Sequence, residues 1–157
     1  MITPFFVSKK NKTESLWLLD FLSTTRDLYF TENNQRIFIT DYSSLKKLFT
    51  KSSRVYTLQK NGIYVGLILV WKSKGEINRH YVKMVAKNNS VARDLLTVLT
   101  WNFNRELFVR IDRSSPLVGV YKSKGFRYAS GDKGSSILLR REPIVYQNKF
   151  FSKEEEE

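Results

Sequence analysis

The sequence predicts an α+β domain, and three observations carry that reading. Helical spacings dominate up to about residue 50. From Arg54 onward, apolar residues gather in strand-like runs separated by turn signals such as Asn61-Gly62. From Leu107, an apolar strand, a short helix and a second apolar strand follow closely on one another.

The first helix is expected within Asn11 to Asn33, with Leu16, Leu19, Phe21, Leu22 and Leu28 on one side. Asn11 with Glu14, or Thr13 alone, would cap it. A short extended piece, Arg36–Ile39, follows. Thr40 or Asp41 then caps a second helix in which Leu45, Leu48 and Phe49 repeat at three and four residues. Val55–Gln59 and Ile63–Trp71 flank Asn61-Gly62, a two-residue hairpin signal whose two central positions need positive φ. A turn at Lys74-Gly75 leads to Ile77–Ala86, completing an antiparallel meander. A helix from about Asn89 to Asn104 buries Leu95, Leu96, Leu99 and Phe103. The strand Leu107–Ile111, the helix Ser115–Lys124 and a hairpin of Phe126–Ala129 with Ile137–Arg140 close the order.

Composition narrows the function classes. A chain of 157 residues suits one domain with a proper core, and 41% hydrophobic residues argue against disorder. With no cysteine and one histidine, there is no disulfide framework, cysteine nucleophile or histidine-rich metal site. The longest apolar run, Leu67–Trp71, is far below the ~18 residues of a membrane span. The apolar patch before Lys9 is too short for a signal peptide. The expectation is a soluble, cytoplasmic protein. Its net charge of +12 is spread along the chain and attracts polyanions. Nucleic acid is therefore a possible partner, although no nucleic-acid-binding signature accompanies the charge. Glu154–Glu157 read as an acidic, disordered tail behind a single domain of residues 1–153.

The segment Val109–Phe126 carries the most specific signal. Pro116 suits a first helical turn, Gly125 a left-handed helix end, and Tyr121 lies one turn before that glycine. The segment resembles the late strand–helix–strand unit of the GCN5-related N-acetyltransferases (GNAT), usually Asn-x-x-Ala-x-x-Leu-Tyr-x-x-x-Gly-Phe. Ser114, Leu117, Val120, Tyr121, Gly125 and Phe126 fall on its six positions; the last three match outright, and Ser114 and Leu117 depart. The order of elements from Val55 to Arg141 is also that of the family. The resemblance implies a mixed, mostly antiparallel twisted sheet flanked by helices, with residues 54–141 as the core. Residues 1–53 would form the variable helical part on the acceptor side, and Thr3–Ser8 the first strand, with Pro4 tolerable at an edge.

The resemblance also implies acetyl transfer from acetyl-coenzyme A to an amine, on a small molecule or a protein. Tyr121 would protonate the departing thiolate, which a phenol of pKa near 10 can do at neutral pH. Backbone groups of the strand ending in Met84, Val85 and Ala86 would hold the pantetheine arm. The pyrophosphate loop Arg/Gln-x-x-Gly-x-Gly/Ala corresponds to Lys87-Asn88-Asn89-Ser90-Val91-Ala92. Lys87 and Ser90 depart from that pattern and Ala92 fits it. In one reading the loop amides and the positive end of the helix bind the anion, with Lys87 or Arg93 adding charge. In the other, Asn89 or Ser90 merely caps a packing helix. Ser114 completes the expected cofactor contacts. Glu76, His80 or water could deprotonate the acceptor, while Asp112 reads as a turn residue. The rival reading is a catalytically inactive relative that works as a basic binding protein for nucleic acid or an acidic partner.

Overall fold

A computed structural model describes residues 2–4, 12–25, 28–73 and 79–144. The expected Asn11 cap, the Lys74-Gly75 turn, Glu76 and the acidic tail lie outside the described residues.

α1 (Lys12–Ser23) turns Ser15, Leu18 and Leu22 inward, a stripe at three and four residues. The buried stripe differs from the expected side: Leu18 is buried, Leu16 is exposed, and Leu19 and Phe21 are only partly covered. The helix also stops ten residues before Asn33. A hairpin takes over, β2 (Tyr29–Glu32) with β3 (Gln35–Phe38). Its turn places Asn33 and Asn34 at φ 52° and 63°. Asparagine tolerates the left-handed region better than most residues, so this pair closes the hairpin and overrides the helical spacing before it. Leu28 and Phe30 are buried and anchor the hairpin to the body.

Asp41 begins α2 (Tyr42–Thr50) with a reciprocal cap. Its carboxylate accepts the Ser44 amide at 2.8 Å, and the Ser44 hydroxyl accepts the Asp41 amide at 3.1 Å. β4 (Ser52–Lys60), β5 (Ile63–Lys72) and β6 (His80–Ala86) form the meander, with Asn61 and Gly62 at φ 54° and 76° as the turn requires. β1 (Ile2–Pro4) pairs with β4 at the sheet edge, where a proline costs no ladder bond. α3 (Asn89–Asn102), β7 (Leu107–Asp112), α4 (Leu117–Ser123), β8 (Arg127–Lys133) and β9 (Ser136–Arg141) complete the chain. Gly125, at φ 93°, ends α4 in the left-handed region.

Among the described residues the main sheet has seven strands in the order β1-β4-β5-β6-β7-β9-β8. Every pairing is antiparallel except β6 with β7. α3 and α4 cover one face, burying Leu95, Leu96, Leu99, Tyr121 and Phe126 with Ile68 and Val70 of β5. α1, α2 and the β2–β3 hairpin cover β4, β5 and part of β6 on the other face, over Leu67, Leu69 and Val85. β5 is thus buried on both sides. At Gly66 the packing is closest: a Cβ there would stand 2.6 Å from Val91 Cγ1 and 2.7 Å from Leu95 Cδ1. The missing side chain lets the first turn of α3 lie against the sheet.

Candidate active site

β6 and β7 run parallel but share a single registered pair, Tyr81 with Phe108, near the start of each strand. Beyond it they part, and the edge of Val82–Ala86 that faces β7 has no strand partner among the described residues. At the far end of β6, after Ala86, the chain turns through Lys87 and Asn88 into α3. Backbone groups of an unpaired strand edge are ready hydrogen-bonding partners for an extended ligand.

The first turn of α3 follows this unpaired end of β6 after two residues. Its cap is Asn88, in extended backbone, which corrects the expectation of Asn89 or Ser90. Asn88 Oδ1 accepts the Val91 amide at 2.9 Å, and its carbonyl accepts the Ala92 amide at 3.1 Å. The amides of Asn89 and Ser90 have no acceptor among the described residues. Lys87, Asn89, Ser90 and Arg93 are exposed, whereas Val91 and Ala92 are buried against β5. The result is a capped helix tip with two amides and two cations directed outwards, which fits a phosphate group. Met84 and Val85 are buried and Ala86 half-buried along the same opening.

Tyr121 belongs to the core between α3, α4 and the sheet. It is 2% exposed, and its ring meets Phe126 edge-on at 5.1 Å between centroids. Its carbonyl accepts the amides of Lys124 and Phe126, which closes the helix at Gly125. Burial pushes its phenol above the ordinary range, so the hydroxyl keeps its proton at neutral pH. Ser114 lies on the turn after β7, where its amide and hydroxyl donate to Asp112 Oδ1 at 2.9 and 2.6 Å. Ser135 donates to the other Asp112 oxygen at 2.9 Å. These bonds, the Ser114 hydroxyl first, hold the Asp112 carboxyl below its usual range. Asp112 is a turn-fixing residue, as its position suggested.

His80 is not brought to this opening. Its ring stacks edge-on against Phe103 at 5.2 Å, at the C-terminal end of α3. The helix tip is a full 14-residue helix away, about 20 Å. Partial burial first, then Arg105 and Lys72, lower the His80 pKa and favour the neutral ring.

Lys83 escaped the sequence reading. It lies on β6 just past the parting point, on the face opposite α3. Its Nζ donates to the Tyr29 carbonyl at 2.5 Å and stands 5.1 and 5.0 Å from the rings of Tyr29 and Trp71. Burial lowers its pKa from 10.5 to about 8. No local pattern announces this, because Tyr29 lies 54 residues earlier in the chain.

Comparison with known proteins adds the family. Residues 29–136 match the model of the acetyltransferase (GNAT) domain. No curated protein sequence matches this chain. Among solved structures, it is similar to an aminoglycoside 6'-acetyltransferase type Ii at TM-score 0.66 and 14% identity, covering 94% of this chain and 99% of that one. It is similar to a ribosomal-protein-alanine N-acetyltransferase from Brucella melitensis at 0.62 and 13%, covering 90% and 98%. A spermidine N-acetyltransferase from Vibrio cholerae aligns at 0.59 and 13%, covering 89% and 92%. At such identities the likeness is one of fold.

Proposed function

The chain belongs to the GNAT acetyltransferase family, and on that footing we propose that it moves the acetyl group of acetyl-coenzyme A to a primary amine. The observation that carries this reading is that β6 and β7 pair only at Tyr81 and Phe108, with the tip of α3 directly after the unpaired end of β6. In this reading the unpaired edge at Met84, Val85 and Ala86 receives the pantetheine amides. The pyrophosphate lies at the amides of Asn89 and Ser90, with Lys87 and Arg93 supplying charge and Val91 and Ala92 the packed floor. Ser114 borders the site from the β7 side.

The acceptor nitrogen attacks the thioester carbonyl, a C–N bond forms and the C–S bond breaks. The Tyr121 hydroxyl gives its proton to the thiolate sulfur, the proton released by the acceptor nitrogen goes to solvent, and solvent returns a proton to Tyr121 before the next turnover. The phenol carries its proton at neutral pH, as a donor must, while its burial makes it a weaker acid than a free tyrosine. His80, at the far end of α3, has no part in this scheme. The rival reading of an inactive basic binding protein rests on net charge alone.

Titration with acetyl-coenzyme A tests the proposal. A ligand that binds only the folded protein adds about 2.7 kcal/mol of stability at 100 times its Kd. The expected result is a calorimetric binding signal with a raised Tm. A Tm unmoved at millimolar cofactor, with no heat of binding, would overturn the reading.

A further inference from the structure

On the face opposite α3, a row of aromatic rings crosses from β5 to β7. Trp71 and Tyr81 lie 6.0 Å apart, and Tyr81 and Phe108 5.8 Å. Cations sit over the row, Lys83 above Trp71 at 5.0 Å and Arg79 above Phe108 at 4.6 Å. The pairing of Phe108 with Arg140, and of Arg140 with Arg127, carries the same face across β9 and β8. α1 and α2 pack chiefly on β5 and β4.

A cavity of about 720 Å³ lies there, with Phe108, Leu138 and Ala129 on its floor. Five cations line it against two carboxylates, Glu106 and Glu142. Arg140 engages both carboxylates, Glu106 through a 2.7 Å hydrogen bond and Glu142 at 3.2 Å. Arg79, Lys124 and Arg127 have no carboxylate partner among the described residues. Arg127 instead donates to the carbonyls of Phe126 and Lys122, at 3.1 and 3.3 Å.

An apolar floor under an uncompensated cationic rim, in a volume typical of small-molecule sites, fits an organic anion. Phe108 belongs both to this cavity and to the last pair before β6 and β7 separate. A molecule in the cavity therefore touches the closed end of the gap, at Phe108 and Arg79, on the side opposite α3. We propose that this cavity holds the acceptor, and that the acceptor is a small molecule carrying its primary amine on a carboxylate- or phosphate-bearing body gripped by Arg79, Lys124 and Arg127. This rests on the transferase reading above. It predicts rejection of polycations, unlike the spermidine named for the Vibrio relative.

The test uses matched pairs that differ by one anionic group. Phenylalanine is compared with phenethylamine, and O-phosphoethanolamine with ethanolamine, with spermidine as the polycation. Binding to the full chain is read by NMR titration, and transfer is read alongside with acetyl-coenzyme A. The anionic member of at least one pair should bind about 10–100-fold tighter, the worth of charge-assisted hydrogen bonds. The responding pair distinguishes carboxylate from phosphate. Arg127→Glu and Lys124→Glu, each at the cavity rim, should each erode the preference, as should high salt.

Equal binding within both pairs, tighter spermidine binding, or a preference that survives both charge reversals would overturn the proposal. So would an absence of binding by every probe while acetyl-coenzyme A still binds, and in that case the transferase reading stands. An anion preference in a protein that does not bind acetyl-coenzyme A would overturn the acceptor role and the transferase reading together.

Discussion

Asn88 accepts the amide of Val91 at 2.9 Å, so α3 starts from a cap supplied by its own chain. The helix tip is therefore formed before any anion arrives. Asn88→Ala should cost about 1 kcal/mol of folding stability, whereas Asn88→Gly should cost only a few tenths. Urea unfolding of the two variants checks this. An unchanged stability in Asn88→Ala would mean that the Asn88 side chain does not cap the helix.

Gly66 holds the same turn from below. An added methyl would fall 2.6 Å from Val91 and 2.7 Å from Leu95, both buried, so one of them must shift. Gly66→Ala should destabilise by ~1–3 kcal/mol, the usual cost of overpacking. Cofactor affinity should fall as well, because the tip of α3 is pushed off the sheet. A denaturant midpoint equal to that of the unmodified protein would show that the helix docks less tightly than 2.6 Å implies.

The parts legible in the sequence are those fixed by short-range chemistry. Asn61-Gly62 and Gly125 take the positive φ that their neighbours demanded, and Asp41 caps α2. The Tyr121–Gly125–Phe126 spacing located the β7–α4–β8 unit and with it the family. What could not be read depends on distant partners or on close competitors. The leucines before Asn33 fit a helix, and only the willingness of Asn33 and Asn34 to turn left-handed makes a hairpin instead. Asn88, Asn89 and Ser90 are all good caps, and burial of Val91 and Ala92 selects the first. Lys83 acquires its setting from Tyr29 and Trp71, one on a hairpin that the sequence did not announce.

Lys83 makes stability depend on pH in a definite direction. Its folded pKa of about 8 lies below the 10.5 of the unfolded chain. Between these values the unfolded state holds more protons, so stability rises with pH across that window. Below about pH 8 both states are protonated, and the cost of burying the charge is fully present. Lys83→Met, which keeps the apolar stem and removes the charge, should abolish this rise. Tm measured from pH 7 to 10.5 in both proteins checks it, and parallel profiles would exclude Lys83 as the source.

Tyr121 offers the sharpest separation of chemistry from packing. Its ring fills the core beside Phe126, while its hydroxyl is the only part that a proton donor needs. Tyr121→Phe keeps the ring, so stability and acetyl-coenzyme A affinity should stay close to those of the unmodified protein. Turnover should fall by ~10²–10⁴-fold, the usual worth of a positioned acid. The loss should shrink with an acyl donor whose thiol has a lower pKa, since such a thiolate leaves with less need of a proton. A general fall in stability would point to packing, and a structural role alone would not produce that dependence on the leaving group. Full turnover in Tyr121→Phe would show that the thiolate takes its proton from elsewhere.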